Sequence, residues 1–374
     1  MKRFILPAIE QGTRHIIKAD SEKEIISLGL ISGLGFIFFG PGGHAKSMLL
    51  EAVTSIIKGA NINTKACHSG LQVDEMKGGI DLRALEEEKL IRYNYAYSPL
   101  NCDVLFLEEA FDMPNTTGAG FKDWITSKSF RDGNEYFKLP LSLVSCVTNK
   151  EPADVAGVGD WMGALIERFP LQHRSAWDSY NSTAYCELFN APAQQDAEIS
   201  WEEIQTMQAK AKACVVPTSI KAILAEMLAK AGEKGQVISP RTAIYALSIA
   251  RAAATIDGKT VVEKQHIAAI KYLPGLGELG KTIDAEIAAA DTRAIAEAAF
   301  LTIKHKAEML MVEANNATSP IVAIQFSKRL ALVLDELSGL KLTETLTEPR
   351  KKLREAVDAA ISSARTRALD LVKI

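Results

Sequence analysis

The spacing of apolar residues changes character once along the chain, near residue 185. Before that point, short continuous apolar runs alternate with longer polar or amphipathic stretches. Phe36 to Phe39, Val104 to Leu107 and Leu141 to Val147 each have the length of a strand buried on both faces, the pattern of a parallel sheet covered by helices. Ser21, three residues ahead of Glu24, predicts a capping box for a helix whose apolar positions run from Ile25 to Leu34, where Gly33 and Gly35 interrupt it. After residue 185 strand-like runs vanish and alanine becomes abundant. Ile220, Ile223, Leu224, Met227 and Leu228 then recur at helical intervals. The proline and glycines of Tyr272 to Gly277 break this pattern, and further breaks at Ser319-Pro320 and Glu348-Pro349 divide the remainder into a small antiparallel bundle. The expected organisation is an α/β core with a parallel sheet (1–185), a helical domain (186–280) and a C-terminal helical bundle or extension (281–374).

Composition narrows the partners. The 374 residues carry 43 basic and 46 acidic side chains, a net charge of −3, so no overall basic excess marks the chain as a binder of nucleic acid. Cys67, Cys102, Cys146, Cys186 and Cys214 show neither CxxC pairing nor zinc-ligand spacing, which fits a reducing cytoplasm. No apolar run reaches the roughly 20 residues of a membrane span, and the N-terminus has no signal-peptide pattern. A cytoplasmic protein is expected.

The chemistry begins where the first strand ends. Gly40-Pro41-Gly42-Gly43-His44-Ala45-Lys46-Ser47 follows the phosphate-binding-loop pattern, with alanine where the last glycine is usual. Small residues let backbone N–H groups turn toward phosphate, and the following helix, entered through Ser47 and Met48, adds its positive end. Lys46 would reach the terminal phosphates and Ser47 would ligate Mg²⁺. Val104 to Leu107 then ends in Glu108-Glu109, one acid to support the metal and one to activate water. The strand Leu141 to Val147 ends in Thr148-Asn149, whose amide could meet the γ-phosphate or the attacking water. Downstream, Arg168 follows Leu165-Ile166-Glu167 at an expected helix end, the place of an arginine finger. Ser239-Pro240-Arg241 sets Arg241 in the first turn of a helix, where the macrodipole does not favour a cation and a nearby anion would.

These motifs, in this order, resemble MoxR-family AAA+ ATPases from about residue 5 to 280, and the RavA branch in particular. Ala45-Lys46-Ser47, Phe130-Arg131-Asp132-Gly133 and Asn149-Lys150-Glu151-Pro152 carry the resemblance. It implies an AAA+ P-loop αβα core followed by an all-α lid, with ATP and Mg²⁺ held by residues 40–48, Ser47 and Glu108 on the metal, and Glu109, Asn149, Arg168 and Arg241 as catalytic groups. It also implies an insertion over Leu71 to Tyr97 and a hairpin over Arg131 to Pro140. The Asp132-Gly133 pair supports a turn there independently. Two departures stand out. Glu108 replaces an aspartate, which bears on turnover, and Thr116 to Gly120 replaces a helical stretch, which suggests a mobile loop.

The resemblance further implies a homo-oligomeric ring, expected to be a hexamer, that remodels a protein substrate alongside a von Willebrand factor A-type partner, with Arg168 acting on the neighbouring subunit. Two other readings are open. Lys122, Lys128, Arg131 and Lys138 could line a DNA path in a translocating ring, and Glu108 could mark a nucleotide-gated scaffold with slow hydrolysis.

Overall fold

The computed structural model describes residues 3–132, 135–156, 160–175, 181–236, 238–276, 283–340 and 346–372. The chain divides into two compact units, Met1–Ile283 and Asp284–Ile374.

The first unit is organised by a five-stranded parallel sheet. Its strands are β1 (Phe36–Phe39), β3 (Ile62–Ala66), β4 (Val104–Glu108), β7 (Leu143–Val147) and β8 (Leu171–Arg174), in the order β3-β4-β7-β1-β8. The three central strands are the three apolar runs of the sequence. Phe36, Phe38, Phe106 and Cys146 are fully buried, so helices cover both faces. The register sets Phe38 opposite Val147 and Glu108 opposite the same Val147 from the other side. Consequently β1, β4 and β7 end together at one edge. The outer strands β3 and β8, with sequences Ile-Asn-Thr-Lys-Ala and Leu-Gln-His-Arg, lack the apolar run that betrays a buried strand. Two two-stranded ribbons complete the strands: β2 (Ile57–Lys58) with β9 (Ile199–Ser200), and β5 (Ser129–Asp132) with β6 (Glu135–Lys138). The latter is the expected hairpin, antiparallel with Asp132 opposite Glu135; Gly133, on which the expected turn falls, lies outside the described residues.

Two local expectations are corrected. The helix preceding β1 spans Asp20–Ser32 with Ala19 at its N-cap and no side-chain cap, so Ser21 is already inside it. Glu24 serves a different purpose, buried and accepting hydrogen bonds from Phe4 N (3.3 Å), Lys271 Nζ (3.0 Å) and the Tyr272 hydroxyl (2.5 Å). At its far end Gly33 takes the left-handed conformation that closes a helix. The segment Thr116 to Gly120 is no loop, because the helix Asn115–Ser127 runs straight through it. Thr117 is buried and its hydroxyl donates to Leu71 O at 2.8 Å, and a Cβ on Gly120 would lie 2.9 Å from the Trp124 ring. The small residues there permit close packing against Leu71 and against Trp124.

The helical part of this unit comprises Trp201–Ala213, Thr218–Glu233, Pro240–Ile256 and a 3₁₀ stretch Lys264–Tyr272. Ser200 and Ser239 cap two of these by accepting from the backbone N–H three residues on. Pro240–Ile256 and Trp201–Ala213 pack on Asp20–Ser32, which is why the latter is buried almost all round. The break expected at Tyr272 to Gly277 is described only as far as Leu276.

The second unit is three helices, Ile283–Asn315, Pro320–Gly339 and Thr347–Val372, around a shared core that includes Ala307, Leu330, Val333, Leu337 and Val357. Ser319 caps the second by accepting from Val322 N. Arg350, near the start of the third, donates to Ser338 O near the end of the second, and Arg367 donates to Ala317 O, so these two run antiparallel. Among the described residues no helix is long and apolar enough to cross a membrane.

Two measurements probe this packing. A Cβ on Gly35 would lie 2.3 Å from Val144 O and 2.7 Å from Phe169, so Gly35→Ala should destabilise the chain by about 1–3 kcal/mol in chemical denaturation. His173 stands 3.6 Å from Glu22 Oε1, and burial lowers its pKa, Glu22 opposing the shift and Lys271 adding to it. The unfolded chain then binds a proton that the folded chain excludes. Stability should be whole above about pH 6.5 and fall as acid drives the pH from there toward the lowered folded value. His173→Gln should flatten that part of the pH profile of the urea midpoint.

Candidate functional site

At the common edge of β1, β4 and β7 the sequence motifs converge. The loop leaves β1 at Gly40, whose φ of +116° and whose approach to Ser175 O, 2.7 Å from where a Cβ would sit, both require glycine. Gly43 is also left-handed, at φ +82°, with no atom within 4 Å of its would-be Cβ. Ala45 occupies the left-handed region too, at φ +55°. That conformation explains why glycine is usual there, and alanine accepts it at a cost of about 1–2 kcal/mol.

The helix Lys46–Ile56 begins immediately, with Ser47 and Met48 exposed in its first turn. Lys46 is buried and folded back on the loop, donating to Gly40 O and Pro41 O, both at 2.7 Å, and to Asn149 Oδ1 at 3.3 Å. Burial lowers its pKa, while Glu109, Glu151 and Glu22 pull the other way.

Glu109 follows β4 in a left-handed turn at φ +53°, which swings its carboxylate toward the end of β7. There Oε2 accepts from Asn149 N at 3.0 Å and from the Thr148 hydroxyl at 3.3 Å. Lys46, Glu109 and Asn149 thus line one cavity of about 310 Å³ with Gly42, Gly43 and His44. Glu108, the last residue of β4, does not line it.

Contacts that single residues did not betray steady the Asn149 loop. Arg174, at the end of β8, grips Glu151 with Nε on Oε2 at 2.7 Å and a second nitrogen on Oε1 at 3.0 Å. Lys150 pairs with Asp112 at 2.7 Å, and Gly40 N donates to Lys150 O. Thr148, fully buried, accepts from Lys150 N while donating to Glu109. A hydroxyl at the end of an apolar strand was the available signal for Thr148. Nothing in the sequence marked Arg174.

The two arginines lie elsewhere. Arg168 Nε donates to the Thr126 hydroxyl at 2.8 Å and another of its nitrogens donates to Ala164 O. Arg241 meets Glu167 Oε2 at 3.4 Å. Both line a second cavity, of about 270 Å³, whose wall includes Gly33, Gly35 and Ser142. Those residues precede β1 and β7, whereas the phosphate loop and Asn149 follow them. The arginines therefore sit at the opposite edge of the sheet from Lys46 of the same chain.

The first cavity suits a nucleotide phosphate chain: an open left-handed glycine, an exposed serine at a helix start and an ammonium now satisfied only by carbonyls and an amide. Among the described residues no group of three or more His, Cys, Asp or Glu could hold a metal by itself.

A phosphate loop between a buried strand and a helix, with an acid and an asparagine ending the neighbouring strands, defines an AAA+ class P-loop protein. Residues 5–213, more than half of the chain, match the family model described as the MoxR domain in the MoxR-vWA-beta-propeller ternary systems, and the chain belongs to the MoxR family of AAA+ ATPases. The match does not bear out the RavA branch. Two uncharacterised proteins of Methanocaldococcus jannaschii are similar. One is 21% identical over 267 residues, 71% of this chain and 68% of that protein; the other is 23% identical over 146 residues, 39% of each. A crystal structure from Cytophaga hutchinsonii, assigned provisionally as an ATPase, shares the fold with a TM-score of 0.56 at 14% identity, covering 71% of this chain and 84% of that one.

Thr148→Val would leave Lys150 N and Glu109 Oε2 each short of a hydrogen bond. It should cost about 1–3 kcal/mol, read from chemical denaturation.

Proposed function

We propose that the chain hydrolyses ATP with Mg²⁺ at interfaces between copies of itself in a ring, and that the cycle remodels a protein partner. One observation carries this reading: Lys46, Glu109 and Asn149 share a cavity at one edge of the sheet, while Arg168 and Arg241 share another at the opposite edge of the same unit. A site that needs both sets is complete only when a second copy brings its arginines to the first copy's phosphate loop.

Bound Mg²⁺·ATP would supply the transferable phosphoryl group and part of its charge neutralisation. The residues around it have separable tasks. The backbone of Gly40 to Ser47 cradles phosphate, and Lys46 exchanges its carbonyl partners for phosphate oxygens. Ser47 would hold the metal, and Glu108, which ends β4 without lining the cavity, would act on it only through water. Glu109, released from Asn149 N and Thr148, takes the proton of the attacking water, which the Asn149 amide orients. Arg168 and Arg241 of the neighbour then meet the charge that develops on the transferring group.

A von Willebrand factor A-type protein is the partner we favour, because the family model is described by systems that include one. The DNA-path reading gains little: Lys122 meets Asp123 at 3.7 Å and Arg131 lies over the Tyr136 ring. The gated-scaffold reading has one observation in its favour, the Glu109 carboxylate tied to Thr148 and Asn149.

Mg²⁺-dependent ATP turnover per chain, followed against protein concentration, tests the proposal. It should rise as the chain assembles. Glu109→Gln should keep ATP binding and lose about 10²–10⁴-fold in turnover, and Lys46→Ala should lose binding. Binding without turnover in the unaltered chain would favour the scaffold; turnover independent of concentration would remove the inter-subunit site.

A further inference from the structure

The cavity that holds Arg168 and Arg241 contains a third cation, which the nucleotide site as proposed does not use. Lys128 lines it from the end of the helix Asn115–Ser127. Its backbone is left-handed, with φ +49°, in the position that closes the helix. Glycine is the usual residue there, and a lysine accepts that conformation only with strain. Its carbonyl accepts from Leu139 N at 2.8 Å, so the backbone that carries it is pinned to the end of the β5–β6 ribbon.

The charges around the cavity do not balance. Lys128, exposed at the surface, has no carboxylate partner among the described residues, and its pKa is lowered, by partial desolvation first and by the neighbouring Lys212 second. Arg168 is held by a hydroxyl and a carbonyl, both neutral. Arg241 alone faces an acid, Glu167, at 3.4 Å and with both side chains at least half exposed. Such an exposed pair contributes little. Lys128, Arg168 and Arg241 line the cavity and no carboxylate does among the described residues, which lowers the free energy of a polyvalent anion that enters. The cavity, of about 270 Å³, is large enough to admit phosphate groups.

We propose that Lys128 is a third phosphate-binding cation, beside Arg168 and Arg241, in a cavity that receives the terminal phosphates of a nucleotide held on a second copy of the chain. This rests on the inter-subunit site proposed above and adds a residue to it. The two arginines present planar forks to the transferring group, whereas the lysine, a compact charge on a flexible stem, neutralises the oxygens beside it. Its backbone is fixed by the helix end and the ribbon, so it enters the site as a rigid part of the neighbour.

The test mixes full-length variants. Lys128→Met should lower ATP turnover at least about tenfold while the nucleotide affinity of the unassembled chain, set by its own phosphate loop, stays unchanged. Lys128→Arg should retain most of the turnover. Mixing Lys128→Met with Glu109→Gln, each inactive or weak alone, should restore turnover, because the second variant lends an intact Lys128 to the first variant's intact loop. Arg168→Ala mixed in the same way is the reference. Should Arg168→Ala be rescued while Lys128→Met either turns over normally or is not rescued, the role of Lys128 is overturned and the inter-subunit site stands. Should neither be rescued, the inter-subunit site fails and the Lys128 proposal falls with it.

Discussion

Three buried strands that lie side by side and run the same way are the constraint on which the rest of the chain depends. Because β1, β4 and β7 are in register, whatever follows them in sequence is delivered to one edge of the sheet, and whatever precedes them to the other. The apolar runs that make them strands are therefore also what brings Lys46, Glu109 and Asn149 together from positions as much as a hundred residues apart. Hydrophobic burial positions the polar groups, and it does so without any direct attraction between them.

That same rule separates the arginines from the phosphate loop. Gly33 and Gly35 come before β1, Ser142 before β7, and the cavity they form with Arg168 and Arg241 inherits the opposite edge. The two cavities thus lie at opposite edges of the sheet within one unit. At Glu109 a left-handed backbone places a particular side chain, carrying its carboxylate to the end of β7.

Sequence pattern conveyed the central strands, the glycine-rich loop after β1, the serine cap at Ser239 and the break at Ser319-Pro320, because each depends on local chemistry or on a run of buried residues. It conveyed less where tertiary contacts decide. The strands β3 and β8 sit at the sheet's borders and are half polar, so no periodicity announced them. Thr116 to Gly120 looked like a loop by composition, yet the need to fit under Leu71 and against Trp124 makes small residues favourable in a helix there. Ser21 had the spacing of a cap, and the demand for Glu24 in the interior overrode it. The location of Arg241 could not be read from its helix position, since the anion it meets, Glu167, comes from a distant part of the chain.

Glu24 itself has a mechanical meaning. It belongs to the helix Asp20–Ser32, beside the sheet, yet its donors Lys271 and Tyr272 belong to the last turn of the helical region. Hinging those parts open would strand a carboxylate in an apolar interior, at a cost of about 3–5 kcal/mol. Sheet and helical region consequently behave as a single lever. Bending between them is resisted by one buried carboxylate, held at once from the N-terminal segment and from the last turn of the helical region.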